Sequence, residues 1–252
     1  MIGRNAVPDW LVRRPIAHRG LHDRAAGRIE NTPAAALAAI GHGFAIECDA
    51  QLTADREAVV FHDFTLERLT GTSGAVADRS ASELAEASLR DSPDRIPTLA
   101  AFLGLIGGRV PLVCEIKSRF DGDMRLADRV TEIAGAYDGP LALKSFDPMV
   151  VAHLRARALP WPLGIVGEAE YTAPEWCTLS PGRKRDMAAM LHFGETRPDF
   201  LSYRVADLPH AVPFLCRTAI GMPVMTWTVR TEEQRHRAAT WADQMVFEDF
   251  VP

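Results

Sequence analysis

The sequence predicts an α/β fold, a single (β/α)8 TIM barrel domain that spans residues 1–252. Short β-branched or aliphatic runs alternate with helical patterns along the chain, which is typical of parallel βα units. Eight such units are counted, and the chain has 252 residues, the usual size of this class of barrel. Eight units in a chain of this length favour a closed barrel over an open, doubly wound sheet. No linker separates the chain into two domains.

Each strand is predicted from a short apolar run bounded by turn residues. The eight predicted strands lie near residues 15–18, 44–49, 111–116, 141–146, 163–167, 200–203, 223–228 and 244–248.

Helical patterns fill the gaps between strands, and three of them begin with N-terminal signals. Thr32 precedes a proline, Asp123 precedes Met124, and Thr231 precedes two glutamates. The clearest helical patterns cover residues 33–42, 98–106, 124–136 and 231–241.

Two segments depart from the simple alternation. Residues 50–62 predict a hairpin inserted after the second strand, followed by a loop-like segment, 64–96, with a short helix near 80–87. Residues 169–197 predict a further loop and helix. Four residues follow the last strand, so we expect no final helix, with residues 8–13 a candidate to cover part of that gap.

Composition limits the classes of function. The chain is 47% hydrophobic and 24% charged, with a net charge of −5, which excludes a disordered chain and makes a nucleic-acid partner unexpected. No apolar run approaches about 18 residues, and the N-terminal sequence lacks a signal-peptide core, so we expect a cytoplasmic protein without a membrane segment. Cys48 and Cys114 lie in apolar runs without CxxC spacing and are interpreted as buried free thiols.

Strand alternation predicts an acidic centre. Glu47 and Asp49 share one face of the second strand, while Glu115 and Lys117 share one face of the next. The apolar residues of both strands should meet helices, so these four side chains should point into the barrel near its catalytic, carboxyl end. A divalent ion, Mg²⁺ or Ca²⁺, would relieve the repulsion between three carboxylates. Simple ion pairs with Lys117 and a nearby arginine remain the alternative.

Two histidines end neighbouring strand elements. His18 closes the first strand and His62 closes the hairpin. Each could be a structural residue, but beside a metal they supply the acid and base needed to hydrolyse a phosphate ester. Arg19 and Lys117 would supply positive charge for the phosphate oxygens.

An ordered set of motifs resembles the glycerophosphodiester phosphodiesterase family, a group of phospholipase-C-like phosphodiesterase barrels. The resemblance extends from residue 15 to 250, and its specificity comes from the order and spacing of the motifs. They are HRG at 18–20, ENT at 30–32, IECD at 46–49, VVFHD at 59–63, LERLTG at 66–71, IPTL at 96–99, CEIK at 114–117, SFDP at 145–148 and TWTV at 226–229.

The resemblance implies a role for each of these site residues. It implies that His18 and His62 form the acid–base pair, and that Glu30 lies near the metal and Arg19. Asn31 is interpreted as fixing the loop after the first strand, and Trp227 as lining the substrate mouth, with plain core packing as its alternative. The metal ligands would be Glu47, Asp49 and Glu115, and the phosphate ligands Arg19 and Lys117.

Some residues depart from the family pattern. The loop before ENT is longer than usual and adds His22 and Asp23 near the site, while Arg230 and the pair Tyr203-Arg204 are also unusual. These changes leave open which alcohol the substrate carries. The preferred metal, the nucleophile, the division of labour between the histidines and the oligomeric state also stay open.

The activity expected from the resemblance is hydrolysis of a glycerophosphodiester to glycerol 3-phosphate and an alcohol. One alternative is a phospholipase acting on a larger lipid phosphodiester, for which Tyr171, Trp176 and Phe193 would form an apolar rim. The other is a catalytically silent barrel that binds a phosphorylated ligand, although no carboxylate or histidine of the predicted set is missing.

Overall fold

The computed structural model describes residues 7–252 of the chain. The strands in this part of the chain follow the predicted runs, with one further strand, β3, supplied by the hairpin. Their bounds are β1 Ile16–Ala17, β2 Ala45–Leu52, β3 Ala58–Val60, β4 Leu112–Ile116, β5 Leu141–Ser145, β6 Leu163–Gly167, β7 Phe200–Arg204, β8 Val224–Val229 and β9 Gln244–Phe247.

Helices separate most of the strands, and the four helices predicted most clearly are all present within two residues of their predicted bounds. The helices are α1 Trp10–Arg13, α2 Pro33–His42, α3 Ala81–Glu86, α4 Leu99–Ile106, α5 Arg125–Ala134, α6 Pro148–Ala156, α7 Pro181–Ala188, α8 Phe193–Thr196, α9 Ala211–Thr218 and α10 Glu232–Trp241.

Capping explains where these helices begin. The side chains of Thr32 and Thr231 each accept a backbone N–H at the start of α2 and α10, as predicted. Helix α5 begins one residue later than expected, because the Asp123 carboxylate accepts the N–H of Arg125 and leaves Met124 outside the helix.

The strand order confirms the predicted (β/α)8 barrel. It runs β1-β9-β8-β7-β6-β5-β4-β2-β3, and β1 also pairs with β2. The pairings of β1 with β2, β2 with β4, and those from β5 through β9 are parallel. Only β3 is antiparallel among the pairings described for these strands, and it is the return strand of the predicted hairpin.

The described residues divide into two compact units. The carboxylate unit comprises residues 16–117, 123–141 and 248–252, and the aromatic unit comprises residues 7–15, 118–122 and 142–247. The single-domain organisation inferred from the sequence stays a prediction.

Within the carboxylate unit, the segment after β3 is packed rather than open. Residues 64–96 contain α3, whose capping box at Ser80 and Glu83 explains its position. A small apolar core lies under this segment, formed by Ile29, Val59, Phe61, Leu66, Leu69, Val76, Leu84, Leu89 and Ile96.

Within the aromatic unit, α1 packs at the end where no final helix was expected. Leu11 is buried, and the carbonyl of Val12 accepts a hydrogen bond of 2.8 Å from Gln244 in β9. Residues 248–252 contain no helix. The burial of Leu11 and the hydrogen bond between Val12 and Gln244 agree with the prediction for residues 8–13.

Two further expectations concern the whole described chain. Cys48 and Cys114 are buried free thiols, as interpreted. None of the helices between residues 7 and 252 has the length and apolar character needed to cross a membrane.

Candidate active site

Three carboxylates converge at the carboxyl ends of β2 and β4. Asp49 lies directly opposite Glu115 in the parallel register, and Glu47 lies one step back on the same face of β2. One oxygen from each of the three lies within 4.8 Å of the others, and all three side chains are buried. The alternation of side chains along the strands therefore brings together the three predicted metal ligands.

Two cationic side chains contact these carboxylates. The ammonium of Lys117 lies 3.0 Å from Asp49 Oδ1 and 2.8 Å from Glu115 Oε1. Arg19 approaches from the loop after β1, with its Nε 3.4 Å from Asp49 Oδ2 and its backbone N–H donating to Glu47 Oε2 at 3.2 Å. Some ion pairs of the alternative interpretation are thus present.

The carboxylates of this centre outnumber the lysine and arginine side chains that contact them. Three carboxylates face two cations, and one of these, Arg19, also pairs with Glu30. Burial opposes the charged form of Asp49, but Lys117 and Arg19 are among the groups that hold the pKa of its carboxyl well below its usual value. Three buried carboxylates whose oxygens lie this close together are a donor set that suits a hard divalent cation such as Mg²⁺ or Ca²⁺.

The loop after β1 is held in an unusual backbone conformation. Arg19 and Asn31 both have positive φ values, 57° and 59°, which cost energy for residues other than glycine. Gly20 is required, because a Cβ there would lie 2.9 Å from atoms of Ala35. The Asn31 amide donates to Asp49 Oδ2 at 2.9 Å, and its oxygen accepts the Asp49 N–H at 3.3 Å. Asn31 thus orients a predicted metal ligand as well as the loop.

The Nδ1 atom of the His18 ring is held by a carboxylate. Its Nδ1 lies 2.5 Å from Glu248 Oε2, and its Nε2 lies 3.9 Å from Glu47 Oε2. His22 approaches the same Glu248 oxygen at 3.5 Å, which places this departure from the family pattern next to His18. A carboxylate on Nδ1 favours the proton on that nitrogen and orients Nε2 toward the carboxylate centre.

Replacing Glu248 by glutamine is expected to lower kcat about 10- to 100-fold and to leave metal affinity unchanged. A charge-assisted hydrogen bond contributes about 1.5–3 kcal/mol, and the glutamine keeps the shape of the side chain. Steady-state kinetics with a glycerophosphodiester and calorimetric metal titration measure both quantities. A wild-type kcat would show that Glu248 has no part in orienting His18.

His62 is oriented in a similar way. Its Nδ1 lies 2.8 Å from Asp63 Oδ1, and Arg68 binds the same carboxylate. Burial opposes the charged form of Asp63, yet His62 and Arg68 hold the pKa of that carboxyl below its usual value. Gln51 donates to the carbonyls of Phe61 and His62 at 3.2 and 2.9 Å and also contacts that of Asp63. The backbone that carries His62 is thereby tied to β2.

Glu30 connects Arg19, in the loop after β1, with Arg68, in the segment after β3. Its carboxylate binds Arg19 at 2.6 Å and both terminal nitrogens of Arg68 at 2.8 Å. Burial would raise its pKa, but the hydrogen bonds and charges of the two arginines lower the pKa of Glu30 to about 2.

The stability contributed by ionised Glu30 is expected to disappear in acid. Because its folded-state pKa of about 2 lies below the ordinary value of 4.5, the contribution is complete above about pH 5 and is lost as the pH falls toward 2. The difference in the free energy of unfolding between wild type and Glu30→Gln should therefore shrink between pH 5 and 2 in urea unfolding. A difference that does not change with pH would contradict this assignment.

Trp227 lies in the aromatic unit, on β8. Its indole N–H donates to the carbonyl of Ser202 at 3.1 Å, and its ring packs edge-on against Phe146 at a centroid distance of 5.4 Å. The ring is partly exposed rather than buried in the core. Its role in lining a substrate mouth stays a prediction.

The sequence did not predict that four further residues contact the site. They are Gln51, Asp63, Arg68 and Glu248. Gln51 could have been found, because it shares the alternating face of Glu47 and Asp49. Asp63 and Arg68 stand inside quoted motifs, but no rule of spacing indicated their contacts. Asp23 has a purely local role, since its carboxylate accepts the N–H of Ala26 and pairs with Arg28.

The chain belongs to the glycerophosphoryl diester phosphodiesterase family. The family's sequence model matches residues 18–252, which include every predicted site residue.

Two curated relatives match part of the chain. The protein YhdW of Bacillus subtilis is 35% identical over 129 residues, covering 48% of this chain and 51% of the relative. A glycerophosphodiester phosphodiesterase of Caldanaerobacter subterraneus is 40% identical over 111 residues, covering 41% and 44% of the two chains. The chain thus spans about half the length of these relatives.

Solved structures share the fold over nearly the whole chain. A phosphodiesterase of Oleispira antarctica, in complex with its product sn-glycerol-3-phosphate, has a TM-score of 0.77 and 21% identity and covers 95% of this chain and 94% of its own. A glycerophosphodiester phosphodiesterase of Thermotoga maritima has a TM-score of 0.70 and 23% identity, covering 97% and 96%. At these identities the likeness establishes the barrel fold alone.

Proposed function

We propose that this protein is a metal-dependent phosphodiesterase that cleaves glycerophosphodiesters to glycerol 3-phosphate and an alcohol. The observation that carries the proposal is the convergence of Glu47, Asp49 and Glu115 beside Arg19 and Lys117. The chain's family and the product bound by the Oleispira antarctica neighbour support the choice of substrate.

The three carboxylates would hold one divalent ion, Mg²⁺ or Ca²⁺. When bound, such an ion supplies a Lewis acid that neutralises negative charge on phosphate oxygens. Asn31 and the backbone N–H of Arg19 keep Asp49 and Glu47 in place for it. The site is therefore preorganised by neutral donors as well as by charge.

Arg19 and Lys117 would bind the phosphodiester. A guanidinium presents two parallel N–H groups that match two phosphate oxygens, whereas an ammonium acts as a compact point charge. Burial lowers the pKa of Lys117, but Asp49 and Glu115 outweigh it and raise the pKa above its ordinary value. Lys117 therefore stays charged and serves as an electrostatic ligand rather than as a base.

The two histidines would transfer protons. We assign His62 as the base that takes a proton from the attacking hydroxyl and His18 as the acid that protonates the departing alkoxide. The attacking group is water or the free hydroxyl of the substrate's own glycerol. The second route passes through a cyclic phosphate, so product analysis by ³¹P NMR distinguishes the two.

The proposed activity is tested by measuring release of glycerol 3-phosphate, with an excess of chelator as the control. Glycerophosphocholine, glycerophosphoethanolamine, glycerophosphoglycerol and glycerophosphoinositol form the substrate panel. The proposal expects metal-dependent release from at least one of them. Absence of release from all four with metal added would overturn it.

Replacing Arg19 by lysine is expected to lower kcat/KM by at least about 100-fold although the charge is kept. Lysine cannot make the bidentate contact, which strengthens as charge builds on the phosphate oxygens in the transition state. Removing one donor of this kind typically lowers kcat by a factor of about 10²–10³. Arg28→Lys, on the same loop but paired locally with Asp23, is the matched control. Near wild-type activity of Arg19→Lys would make Arg19 a structural ion-pair residue.

The phospholipase alternative needs an exposed apolar rim in residues 169–197. Tyr171 and Trp176 are instead buried in a small core with Leu179 and Met187, and Phe193 is partly buried. A small substrate is therefore favoured over a lipid.

The silent-barrel alternative predicts binding of a phosphorylated ligand without turnover, so the release assay also tests it.

The cytoplasmic location expected from the sequence stays a prediction.

A further inference from the structure

Arg68 lies in the segment after β3, on a part of the backbone that packing holds in place. Its neighbours Leu66 and Leu69 are buried in the small apolar core under residues 64–96. The N–H of Thr70 donates to the carbonyl of Leu66 at 3.0 Å and closes a turn around Arg68. The guanidinium is therefore presented from a fixed main chain.

The guanidinium binds two carboxylates of the carboxylate unit, each through two nitrogens. Nη1 and Nη2 donate to the two oxygens of Glu30, both at 2.8 Å. Nε and Nη2 donate to the two oxygens of Asp63, the second at 2.9 Å. A planar, forked guanidinium matches a carboxylate in this paired manner, whereas an ammonium does not.

A single nitrogen of Arg68 contacts the two carboxylate oxygens that also hold other site residues. Nη2 lies 2.8 Å from Glu30 Oε1, the oxygen that accepts from Nη1 of Arg19 at 2.6 Å. It also lies 2.9 Å from Asp63 Oδ1, the oxygen that lies 2.8 Å from His62 Nδ1. Arg68 thus connects the proposed phosphate ligand with the proposed base through two carboxylates.

Exposure alone would make Arg68 an ordinary surface arginine. Its side chain is 45% exposed, while those of Glu30 and Asp63 are 13% and 22% exposed. An isolated ion pair on the surface contributes little to stability, but paired guanidinium–carboxylate contacts in a network are the exception. Here the paired contacts and the partly buried partners hold all three side chains in one geometry.

The positive charge of Arg68 has a second effect. Glu30 and Asp63 carry negative charge next to groups that are proposed to meet an anionic phosphodiester, and Arg68 offsets part of it. Without Arg68, Glu30 would pair with Arg19 alone among the described residues. The carboxylate would then compete more strongly with the phosphate for the Arg19 guanidinium.

We propose that Arg68 is a positioning residue for two groups of the site. Through Glu30 it aligns Arg19, the proposed phosphate ligand. Through Asp63 it aligns His62, the proposed base. The inference rests on the proposed function and deepens it, because it makes the phosphate ligand and the base a coupled pair rather than two independent groups.

The first experiment measures binding without catalysis. Glycerol 3-phosphate is titrated calorimetrically, with Ca²⁺ present, into the wild-type protein, Arg68→Gln, Arg19→Gln and the double variant. Arg68→Gln is expected to weaken binding about tenfold in the wild-type background. In the Arg19→Gln background it should weaken binding at most about twofold, because its effect passes through Arg19. The same loss in both backgrounds, or a wild-type affinity of Arg68→Gln, would overturn the proposal.

The second experiment measures kcat/KM for a glycerophosphodiester in three backgrounds. Arg68→Gln should lower the value about 10- to 100-fold in the wild-type protein, and by the same factor in His18→Ala. In His62→Ala the factor should be at least about threefold smaller, because alignment of the base no longer matters there. Equal factors in all three backgrounds would contradict the proposal, since they would indicate a general loss of folded protein.

Arg79→Gln is the matched control. Arg79 lies in the same segment with its side chain 41% exposed, and it lies 3.9 Å from Glu83 on α3. This variant should keep wild-type affinity and activity. Arg68→Lys keeps the charge without the paired contacts and should resemble Arg68→Gln. Full activity of Arg68→Lys would overturn the proposed alignment, because charge alone would then suffice.

Failure of this proposal differs from failure of the proposed function. Coupled loss of glycerol 3-phosphate binding, with no turnover of any glycerophosphodiester, would refute the activity and support the action of Arg68 on Arg19. Turnover with independent effects of the substitutions would support the activity and overturn the positioning role. Absence of glycerol 3-phosphate binding to the wild-type protein would also overturn the positioning role, whatever the turnover.

Discussion

Replacing His18 or His62 by alanine is expected to lower kcat/KM for a glycerophosphodiester by about 10²–10⁴-fold, the range for loss of a general acid or base. Both rings are held through Nδ1 by a carboxylate, Glu248 for His18 and Asp63 for His62. This arrangement leaves Nε2 of each ring for proton transfer. His236→Ala, on the exposed face of α10, is the control and should retain wild-type activity.

A substrate with a good leaving group separates the two roles. A nitrophenyl phosphodiester needs no proton donor, so it should restore much of the activity of the variant that lacks the acid. We expect rescue of His18→Ala and none of His62→Ala. Rescue of both variants, or of neither, would contradict this division of labour.

Replacing Glu47 by glutamine is expected to weaken metal binding and to lower activity together. The loss should exceed the roughly 10- to 100-fold effect of residues that only orient metal ligands. The glutamine keeps the volume of the buried side chain but removes one of three negative charges. Calorimetric titration with Mg²⁺, Ca²⁺ and Mn²⁺, in parallel with kinetics, measures both effects.

Glu86→Gln is the matched control, because it removes an exposed carboxylate at the end of α3 in the same unit. Wild-type activity of Glu47→Gln, or full activity of the wild-type protein in excess chelator, would contradict the metal centre.

Strand alternation was sufficient to find the carboxylates. Apolar Ile46 and Cys48 had to face helices, which left Glu47 and Asp49 on the other side of β2, and the same reasoning placed Glu115 on β4. The parallel register then set Asp49 opposite Glu115. These positions follow from local periodicity, which a sequence displays directly.

The residues that orient the histidines could not be found in this way. Glu248 contacts His18 across 230 positions of the chain, and no periodic pattern links two such distant residues. Arg68 reaches Glu30 and Asp63 because residues 64–96 pack on their own apolar core, whereas the sequence indicated a loop. Tertiary packing determined both contacts.

Locating a bound ion tests the central claim most directly. Crystals grown with Mn²⁺ and glycerol 3-phosphate would be measured by anomalous diffraction. We predict one anomalous peak bonded to oxygens of Glu47, Asp49 and Glu115, with the phosphate of the product in contact with Arg19. An ion bound elsewhere, or these three carboxylates paired only with Lys117 and Arg19 at saturating Mn²⁺, would contradict the proposed metal-dependent phosphodiesterase.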